Sequence, residues 1–328
     1  MSQTSRGERP SWEEAGLKYY RLNHFFQQYF GTRVWKVTLD AGFYCPNRDG
    51  TVGTQGCVFC NMEAFNPNQT WNIPAETIPE QIDYGIGILS KTYTARSFVA
   101  YFQPATNTYA PVEKLRKIFY AAVEHPQIVG LVIGTRPDCV GEEVLELLEE
   151  MAQKTWLSLE LGLQSCHDRT LRFLRRGHDF ASFVDAVERA QKRNLNLCAH
   201  VILGLPGETP EDWLQTADQL AAMRLHSVKI HNLYVPPHTD LEKMYRSGEI
   251  SLPTLEEYVS WVVDFLERTP QECVIDRISG NLPAQYLIAP DWCIDRGKVH
   301  RSVEAEFARR GTCQGRKVKQ DGESLEKF

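Results

Sequence analysis

VGLVIG, residues 129–134, is a run without a polar side chain, and sequence of helical character flanks it on both sides. Similar runs recur along the chain and predict β-strands that are mostly apolar throughout: VWKVTLD (34–40), SFVAYFQ (97–103), WLSLELGLQ (156–164), LCAHVILG (197–204) and VKIHNLYV (228–235). Strands that are apolar on both faces are typical of parallel sheets, because helices cover both sides of such a sheet. The sequence therefore predicts a buried parallel sheet.

Segments of helical character separate the predicted strands, and each has Pro, Glu or Asp near its start. They span residues 76–91, 111–124, 141–153, 180–193 and 210–223. An amphipathic helix over 14–30 precedes the first strand, whereas helices over 239–247 and 254–268 and a short strand over 273–277 follow the last. This alternation predicts an α/β fold built from βαβ units. The pattern leaves open a partial barrel or a flat doubly wound sheet, although no glycine-rich phosphate loop follows the first strand.

The composition is that of an ordinary globular protein, with 328 residues, 42% of them hydrophobic, and a net charge of −6. A protein that wraps nucleic acid with its whole surface would be basic, so this charge argues against one. The sequence has no apolar run of about 18 residues, and its N-terminus lacks the apolar stretch of a signal peptide. We therefore expect a cytoplasmic protein with no membrane partner.

Residues 296–319 differ from the rest of the chain, since they carry eight Lys or Arg against two Glu. The simpler interpretation is a solvated and partly frayed C-terminal tail. The alternative is a surface patch that contacts phosphates.

Three of the nine cysteines lie in CPNRDGTVGTQGCVFCN, residues 45–61, directly after the first predicted strand. Eleven residues separate Cys45 from Cys57, and two separate Cys57 from Cys60. An odd number of cysteines in a long chain without a secretory signal favours reduced thiols and ligands over disulfides. The loop also lies at the carboxyl end of a parallel strand, where such folds place their chemistry.

Three thiolates suit a [4Fe-4S] cluster, because each binds one iron and the fourth iron stays open for a substrate or cofactor. A structural zinc site requires four ligands, and no second CxxC occurs in the sequence. Zinc with an unidentified fourth ligand and thiols without metal remain as alternatives at this point.

The loop resembles the cluster-binding loop of radical S-adenosylmethionine (radical SAM) enzymes, although their commonest spacing places three residues between the first two cysteines. Longer spacings occur in the branch that includes the catalytic subunit of the Elongator complex and the bacterial YhcC/YtqA-type proteins. Other motifs are similar to that branch in order and spacing: TRPD (135–138), LELGLQS (159–165), RRGHD (175–179), AHVILGLPGET (199–209) and VKIHNLYVPPHTDLEKMYRSGE (228–249). The resemblance covers about residues 20–290.

This resemblance implies a partial TIM-like (β/α)6 barrel of parallel strands, with the cluster loop at its top. It divides the chain into an N-terminal helical segment (1–33), the barrel (34–275) and a basic C-terminal extension (276–328). The extension is expected to contact the substrate, and DRISGNLPAQY (276–286) offers Arg and aromatic groups that could stack an extruded base.

The resemblance also implies the roles of individual residues. Cys45, Cys57 and Cys60 would hold the cluster, while the methionyl amino and carboxylate groups of SAM chelate the fourth iron. Gln103 and Pro104 would present their backbone to the methionyl amino group, in a segment that departs from the glycine-pair form of related enzymes.

Five further residues complete the implied cofactor site. Gln164 matches the residue that reaches the SAM ribose, and Arg176 matches the one that pairs with the methionyl carboxylate. His200 occupies a position that contacts the ribose, and Gly204 allows close approach to the adenine. Glu160 is also expected to be one of the residues that bind the cofactor.

Structural roles are the alternatives for these polar residues. Glu160 could be an inward-facing group of the barrel satisfied by Arg136, and His200 could be a packed core histidine. His178 could be a hydrogen-bonding residue at a helix start. Lys229 and His231 share one face of the sixth strand, inward or outward.

The activity implied by the resemblance is reductive cleavage of SAM to methionine and a 5′-deoxyadenosyl radical that abstracts hydrogen. An electron donor such as a flavodoxin or ferredoxin would be a partner. The chain length leaves no room for the acetyltransferase domain of the Elongator subunit, and no cysteine precedes Cys45 as methylthiotransferases require.

We therefore expect the substrate to be the C5 side chain of a tRNA wobble uridine, with removal of a carboxymethyl group from carboxymethylaminomethyluridine as the specific hypothesis. Two other functions stay open: a radical SAM enzyme that acts on a small metabolite, and a non-catalytic zinc-binding scaffold.

Overall fold

One parallel sheet determines the architecture. The computed structural model describes residues 12–66, 77–280 and 282–318, and in these ranges seven strands form a sheet whose spatial order follows the chain order. The strands are β1 (Val34–Leu39), β2 (Ser97–Phe102), β3 (Ile128–Thr135), β4 (Trp156–Gln164), β5 (Asn196–Leu203), β6 (Ser227–Asn232) and β7 (Val274–Arg277). Each long predicted strand coincides with one of β1 to β6, and the short strand predicted over 273–277 joins the same sheet as β7.

The sheet is rolled into a half-barrel and does not lie flat. In a doubly wound sheet the strand order reverses at a switch point, whereas the order here runs from β1 to β7 without reversal. Lys36 of β1 reaches Glu160 of β4 and Asp276 of β7, with distances from Nζ to carboxylate oxygen of 3.1 and 2.8 Å. Side chains of the two edge strands meet only if the sheet curves. The predicted partial TIM-like barrel is therefore confirmed, with seven strands in place of six.

In the described part of the chain, eleven α-helices precede, connect and follow the strands. They are α1 (Leu22–Phe30), α2 (Met62–Phe65), α3 (Ile78–Thr92), α4 (Val112–Val123), α5 (Glu142–Ala152), α6 (Asp168–Phe173), α7 (Phe180–Gln191), α8 (Pro210–Ala222), α9 (Asp240–Arg246), α10 (Leu255–Glu267) and α11 (Arg296–Arg310). Seven of the predicted helices coincide with α3, α4, α5, α7, α8, α9 and α10, although residue 76 of the predicted 76–91 helix lies outside the described residues. Helix α1 begins at Leu22 and not at residue 14, because Gly16 turns the chain at a φ of +75°.

Alternation along β4 separates the two faces of the sheet. Leu157, Leu159 and Leu161 point outward and belong to the large apolar cluster between the sheet and the helices. Glu160 points inward, together with Trp156 at the start of the strand. The four leucines of WLSLELGLQ thus bury the helix-facing side, and the polar residues of the same strand are left for the interior.

The N-terminal segment closes the bottom of the barrel. Phe25 and Phe26 of α1 pack on Trp156, with ring centroids 6.0 and 5.2 Å apart. The same cluster contains inward-facing Val99 and Val132 from neighbouring strands. This apolar layer seals the end of the barrel at which the strands begin, so the interior opens toward the carboxyl ends of the strands.

The C-terminal region corrects one prediction. Residues 296–310 form helix α11 and not a frayed tail, because Val299, Val303 and Phe307 are fully buried at a four-residue spacing that places them on one helix face. The last two arginines of the helix pair with Glu306. The predicted boundary between residues 275 and 276 falls inside β7. Within the described residues, no helix has the length and apolarity needed to cross a membrane.

Candidate active site

A cavity of about 210 Å³ opens where the carboxyl ends of the strands converge. It is lined by nearly all of the residues that the sequence places at the site: Cys45, Cys57, Cys60, Gln103, Pro104, Glu160, Gln164, Arg176 and His200. Gly204 does not line it. Gly204 instead packs beside Pro253 and Trp261, where a Cβ would lie 3.4 Å from each, and its φ of +87° favours glycine.

The loop after β1, which carries the three thiols, is braced by hydrogen bonds among its own residues. The Arg48 guanidinium donates to the carbonyl of Cys60 at 2.7 Å, and the amide of Gly56 donates to the carbonyl of Asn47 at 2.8 Å. Gly56 has a φ of +74°, and a Cβ there would come within 2.9 Å of three Arg48 atoms. Glycine is therefore required for Arg48 to brace the loop beneath Cys60.

Cys57 is the most enclosed of the three thiols. Asn47 Nδ2 donates to its sulfur at 3.5 Å, and Arg176 Nη1 donates to it at 3.3 Å. Burial, with a smaller contribution from Cys57, raises the pKa of Cys60 to about 11. Burial therefore favours the thiol form of Cys60, whereas a bound metal cation would favour the thiolate.

The chemistry of this donor set fits a [4Fe-4S] cluster. Among the described residues that line the cavity, the three cysteines have no fourth thiol beside them. Three buried polar atoms of the lining have no hydrogen-bond partner within the described part of the chain: Arg136 Nη1, Thr106 Oγ1 and His231 Nε2. Buried polar atoms without partners are rare in folded proteins, so these atoms indicate a polar occupant of the cavity.

The segment after β2 is held rigidly against the cavity. Asn107 Nδ2 donates to the carbonyls of Phe102, Pro104 and Gly134, at 3.1, 2.9 and 2.8 Å. This three-way contact fixes the backbone of Gln103 and Pro104, which lines the cavity. A single buried amide side chain thus fixes the backbone of a segment that lacks the glycine pair of related enzymes.

Arg176 and Gln164 meet at the end of β4. Arg176 Nη2 donates to the carbonyl of Gly162 at 2.8 Å, and a Cβ at Gly162 would lie 3.0 Å from that nitrogen. Gln164 has a φ of +77°, a conformation that non-glycine residues rarely adopt, at a register shift between β4 and β5. Backbone strain of this kind concentrates at functional sites, and here it directs Gln164 into the cavity.

Glu160 is the hub of a buried ionic cluster in the middle of the barrel. Its carboxylate accepts from Lys229 Nζ at 2.6 Å, from Lys36 Nζ at 3.1 Å and from His200 Nε2 at 2.7 Å. Burial would raise the pKa of Glu160, but Lys229 and Lys36 together lower it well below its usual value. The carboxylate is therefore ionised. The expected partner Arg136 is wrong, because Arg136 pairs with Asp138 at 2.8 Å on its own loop.

The two histidines of the interior stay neutral. Burial and the Lys229 ammonium group lower the pKa of His200, and burial and Arg277 lower that of His231 well below its usual value. Both rings face the cavity, with centroids 5.5 Å apart. Lys229 and His231 therefore point inward, which settles the direction that periodicity left open. His178 lies beside Arg176 at 3.3 Å, just before α7.

Three site residues were not predicted from the sequence, namely Lys36, Tyr101 and Asp276, whereas Arg277 is the arginine of the segment 276–286 that was predicted to contact the substrate. Lys229 Nζ donates to the hydroxyl of Tyr101 at 3.0 Å, and Asp276 pairs with both lysines. A lysine inside the apolar run VWKVTL was a usable signal, since a charge within a buried strand requires a buried partner. The partner itself lies on distant strands, and no local pattern identifies it.

Comparison with known proteins agrees with the resemblance that the sequence motifs indicate. The model described as the Radical SAM superfamily matches residues 48–220, and the model described as the Radical SAM C-terminal domain matches residues 225–309. YtqA of Bacillus subtilis is 36% identical over 302 residues, which cover 91% of this chain and 92% of that protein. A tRNA uridine(34) acetyltransferase of Methanocaldococcus jannaschii is 28% identical over 182 residues, which cover 54% of this chain and 32% of the relative.

Among solved structures, Elp3 of the archaeon Methanocaldococcus infernus has the same fold. Its TM-score is 0.66 at 18% identity, and the superposition covers 86% of this chain and 64% of that chain. The matched family uses a [4Fe-4S] cluster and SAM, for which the three thiols and the unpartnered polar atoms of the cavity are suited. Because the superfamily model covers more than half of the chain, and YtqA matches nearly all of it, this protein belongs to the radical SAM superfamily and is an enzyme of that type.

Proposed function

We propose that this enzyme remodels the C5 side chain of a wobble uridine in tRNA, by removing the carboxymethyl group from a carboxymethylaminomethyl substituent. The observation that carries the proposal is the sequence similarity to an enzyme named for uridine 34 of tRNA. The matched part of that relative is about a third of its length, 32%, so its acetyl transfer is not carried over.

The residues of the cavity have distinct tasks in this proposal. Cys45, Cys57 and Cys60 hold the cluster, and Arg176 and the backbone after β2 orient SAM. When bound, the reduced cluster and SAM supply a 5′-deoxyadenosyl radical that abstracts a hydrogen atom from an unactivated carbon. The apolar layer beneath the cavity keeps water away from this chemistry.

The ionic cluster around Glu160 orients the groups above it. Glu160 accepts a hydrogen bond from His200 Nε2, so the His200 Nδ1 atom of the neutral ring is an acceptor. The tautomer is thereby fixed, and a ribose hydroxyl of SAM could donate to Nδ1. An electron donor of the flavodoxin or ferredoxin type completes the proposed system.

The proposed conversion balances in atoms and charge. The carboxymethylaminomethyl side chain, SAM and water give the aminomethyl side chain, glyoxylate, methionine, 5′-deoxyadenosine and a proton. The methylene carbon of the carboxymethyl group is oxidised by two electrons and its bond to nitrogen breaks, while SAM is reduced by two electrons. The electron that the donor supplies to start the reaction is returned when the carbon reaches the imine level.

The test is a comparison of modified nucleosides in total tRNA from a deletion strain and from wild type, by liquid chromatography and mass spectrometry. We expect carboxymethylaminomethyl nucleosides to accumulate in the deletion strain and aminomethyl-type nucleosides to be lost. Wild-type protein should restore the profile, and Cys57→Ala should not. Identical profiles in the two strains would overturn the proposal and favour a small-metabolite substrate.

A further inference from the structure

One arginine of the active-site cavity has a side chain without a partner among the described residues. Arg277, at the end of β7, lines the cavity, yet no hydrogen bond or ion pair joins its guanidinium to another described residue. The other cations of the interior all have partners. Lys36 and Lys229 share Glu160 and Asp276, and Arg136 binds Asp138. Arg48 and Arg176 donate to backbone carbonyls, and Arg176 donates also to the Cys57 sulfur. The Arg277 guanidinium is therefore available to bind a ligand.

Arg277 also lies between the cavity and a second cleft. A cleft of about 500 Å³ runs along the seam where β7 faces β1, and we call it the seam cleft. It is lined by Lys36, Arg296 and His300 among others. Among the described residues, Arg277 is shared by the linings of the seam cleft and the central cavity. The Arg277 side chain therefore borders both spaces.

The neighbours of Arg277 offer a second hydrogen-bond partner. His231 Nε2 is buried without a partner in the described chain and faces the same cavity. The Arg277 charge contributes to lowering the pKa of His231, so the two groups lie close enough to interact electrostatically. The wall behind them is packed, since a Cβ at Gly280 would come within 2.8 Å of His231 Nδ1. An anion at this point would meet a guanidinium fork and a neutral imidazole.

We propose that Arg277 binds a carboxylate of the substrate and so restricts the enzyme to substrates that carry one. A planar guanidinium pairs with a carboxylate through two parallel hydrogen bonds, and its position inside the cavity suits a terminal group on a side chain better than a continuous phosphate backbone. The assignment rests on the proposed function in one respect, because the proposed function identifies this carboxylate as that of the carboxymethyl group.

The test measures binding preference in the anaerobically reconstituted full-length enzyme. Two anticodon stem-loop RNAs are compared at fixed salt by fluorescence anisotropy, one with carboxymethylaminomethyluridine and one with methylaminomethyluridine at position 34. We expect wild type to bind the carboxylate RNA roughly 10-fold or more tightly than the other, as a charge-assisted hydrogen bond allows. Arg277→Gln should bind both RNAs equally.

The matched control is Arg296→Gln, because Arg296 lines the seam cleft but not the cavity. It should keep the preference of wild type, and all three proteins should contain the same amount of iron. A preference that survives in Arg277→Gln, or that is missing in wild type, overturns the assignment.

A second measurement separates this assignment from the proposed function. Phenylglyoxal modification of Arg277 in the holoenzyme is mapped by peptide mass spectrometry in the presence of malonate or inorganic phosphate at equal concentration. Protection by malonate, and weaker protection by phosphate, supports the assignment even if the deletion strain shows no change in tRNA nucleosides. Stronger protection by phosphate, or no protection by either, overturns it.

Discussion

Glu160 shows how one residue in a buried strand organises the site. Its carboxylate is held by two ammonium groups and one imidazole that come from three other strands. A buried carboxylate is tolerated only when it is paired and hydrogen-bonded. The cluster therefore connects β1, β4, β5 and β6 through their inward-facing side chains.

We expect Glu160→Gln to lower the free energy of unfolding by about 3–5 kcal/mol, because it leaves two buried lysines to share Asp276. Urea unfolding followed by circular dichroism measures the change. Glu113→Gln on α4 is the control, since the Glu113 side chain is 81% exposed and its loss should cost less than about 0.5 kcal/mol. Equal changes in the free energy of unfolding for the two substitutions would show that the ionic cluster does not stabilise the fold.

Contacts between residues close in sequence were predicted correctly, whereas contacts between residues far apart in sequence were not. The three thiols lie within one loop, so their spacing alone indicated their joint use. The Glu160 partners, by contrast, are separated from it by 124, 40 and 69 positions. Arg136 was the wrong choice because Asp138, two positions away, satisfies it first. The actual partners of Glu160 are brought together by the curvature of the sheet, which cannot be predicted from hydrophobic periodicity.

Among the secondary-structure elements, the long strands could be predicted from the hydrophobic pattern alone. Apolar runs gave β1 to β6 because both faces of each strand are covered, by helices outside and by the packed interior inside. Helix α11 was missed because its charged residues dominate the sequence. The spacing of Val299, Val303 and Phe307 contained the signal for an amphipathic helix.

Phe307→Ala tests whether α11 is part of the folded core. Phe307 is fully buried and stacks on Tyr19, with ring centroids 6.2 Å apart. We expect the substitution to lower the free energy of unfolding by about 3–5 kcal/mol. Arg301→Ala on the same helix, with the side chain 71% exposed, should change it by less than about 0.5 kcal/mol. A frayed tail would make both substitutions neutral, which is the result that would contradict this packing.

At the scale of the whole molecule, the half-barrel leaves a seam that other segments cover. Helix α1 packs beneath the seam, where the amide of Ile275 donates to the carbonyl of Tyr20 at 2.7 Å. Helix α11 lies beside it, where the Tyr19 hydroxyl contacts His300 Nδ1 at 2.8 Å. The N-terminal and C-terminal segments are thus joined to each other across the open side of the sheet.

This junction makes stability depend on pH. Burial, with smaller contributions from Arg21 and Arg296, lowers the pKa of His300 to about 4. Above pH ~6.5 the ring is neutral in both states, whereas below it the unfolded chain binds more protons and stability falls. Between pH 7 and pH 5 we expect wild type to lose about 2 kcal/mol more than His300→Gln in urea unfolding. Parallel pH profiles for the two proteins would contradict this account.

The central claim is that Cys45, Cys57 and Cys60 hold a cluster that cleaves SAM reductively. The most direct measurement is 5′-deoxyadenosine, quantified by mass spectrometry after SAM and dithionite are added to the anaerobically reconstituted protein. Wild type should form it, Cys57→Ala should not, and Cys313→Ala should match wild type because Cys313 lies outside the cavity lining. A wild-type protein that retains zinc and leaves SAM intact under these conditions would contradict the claim.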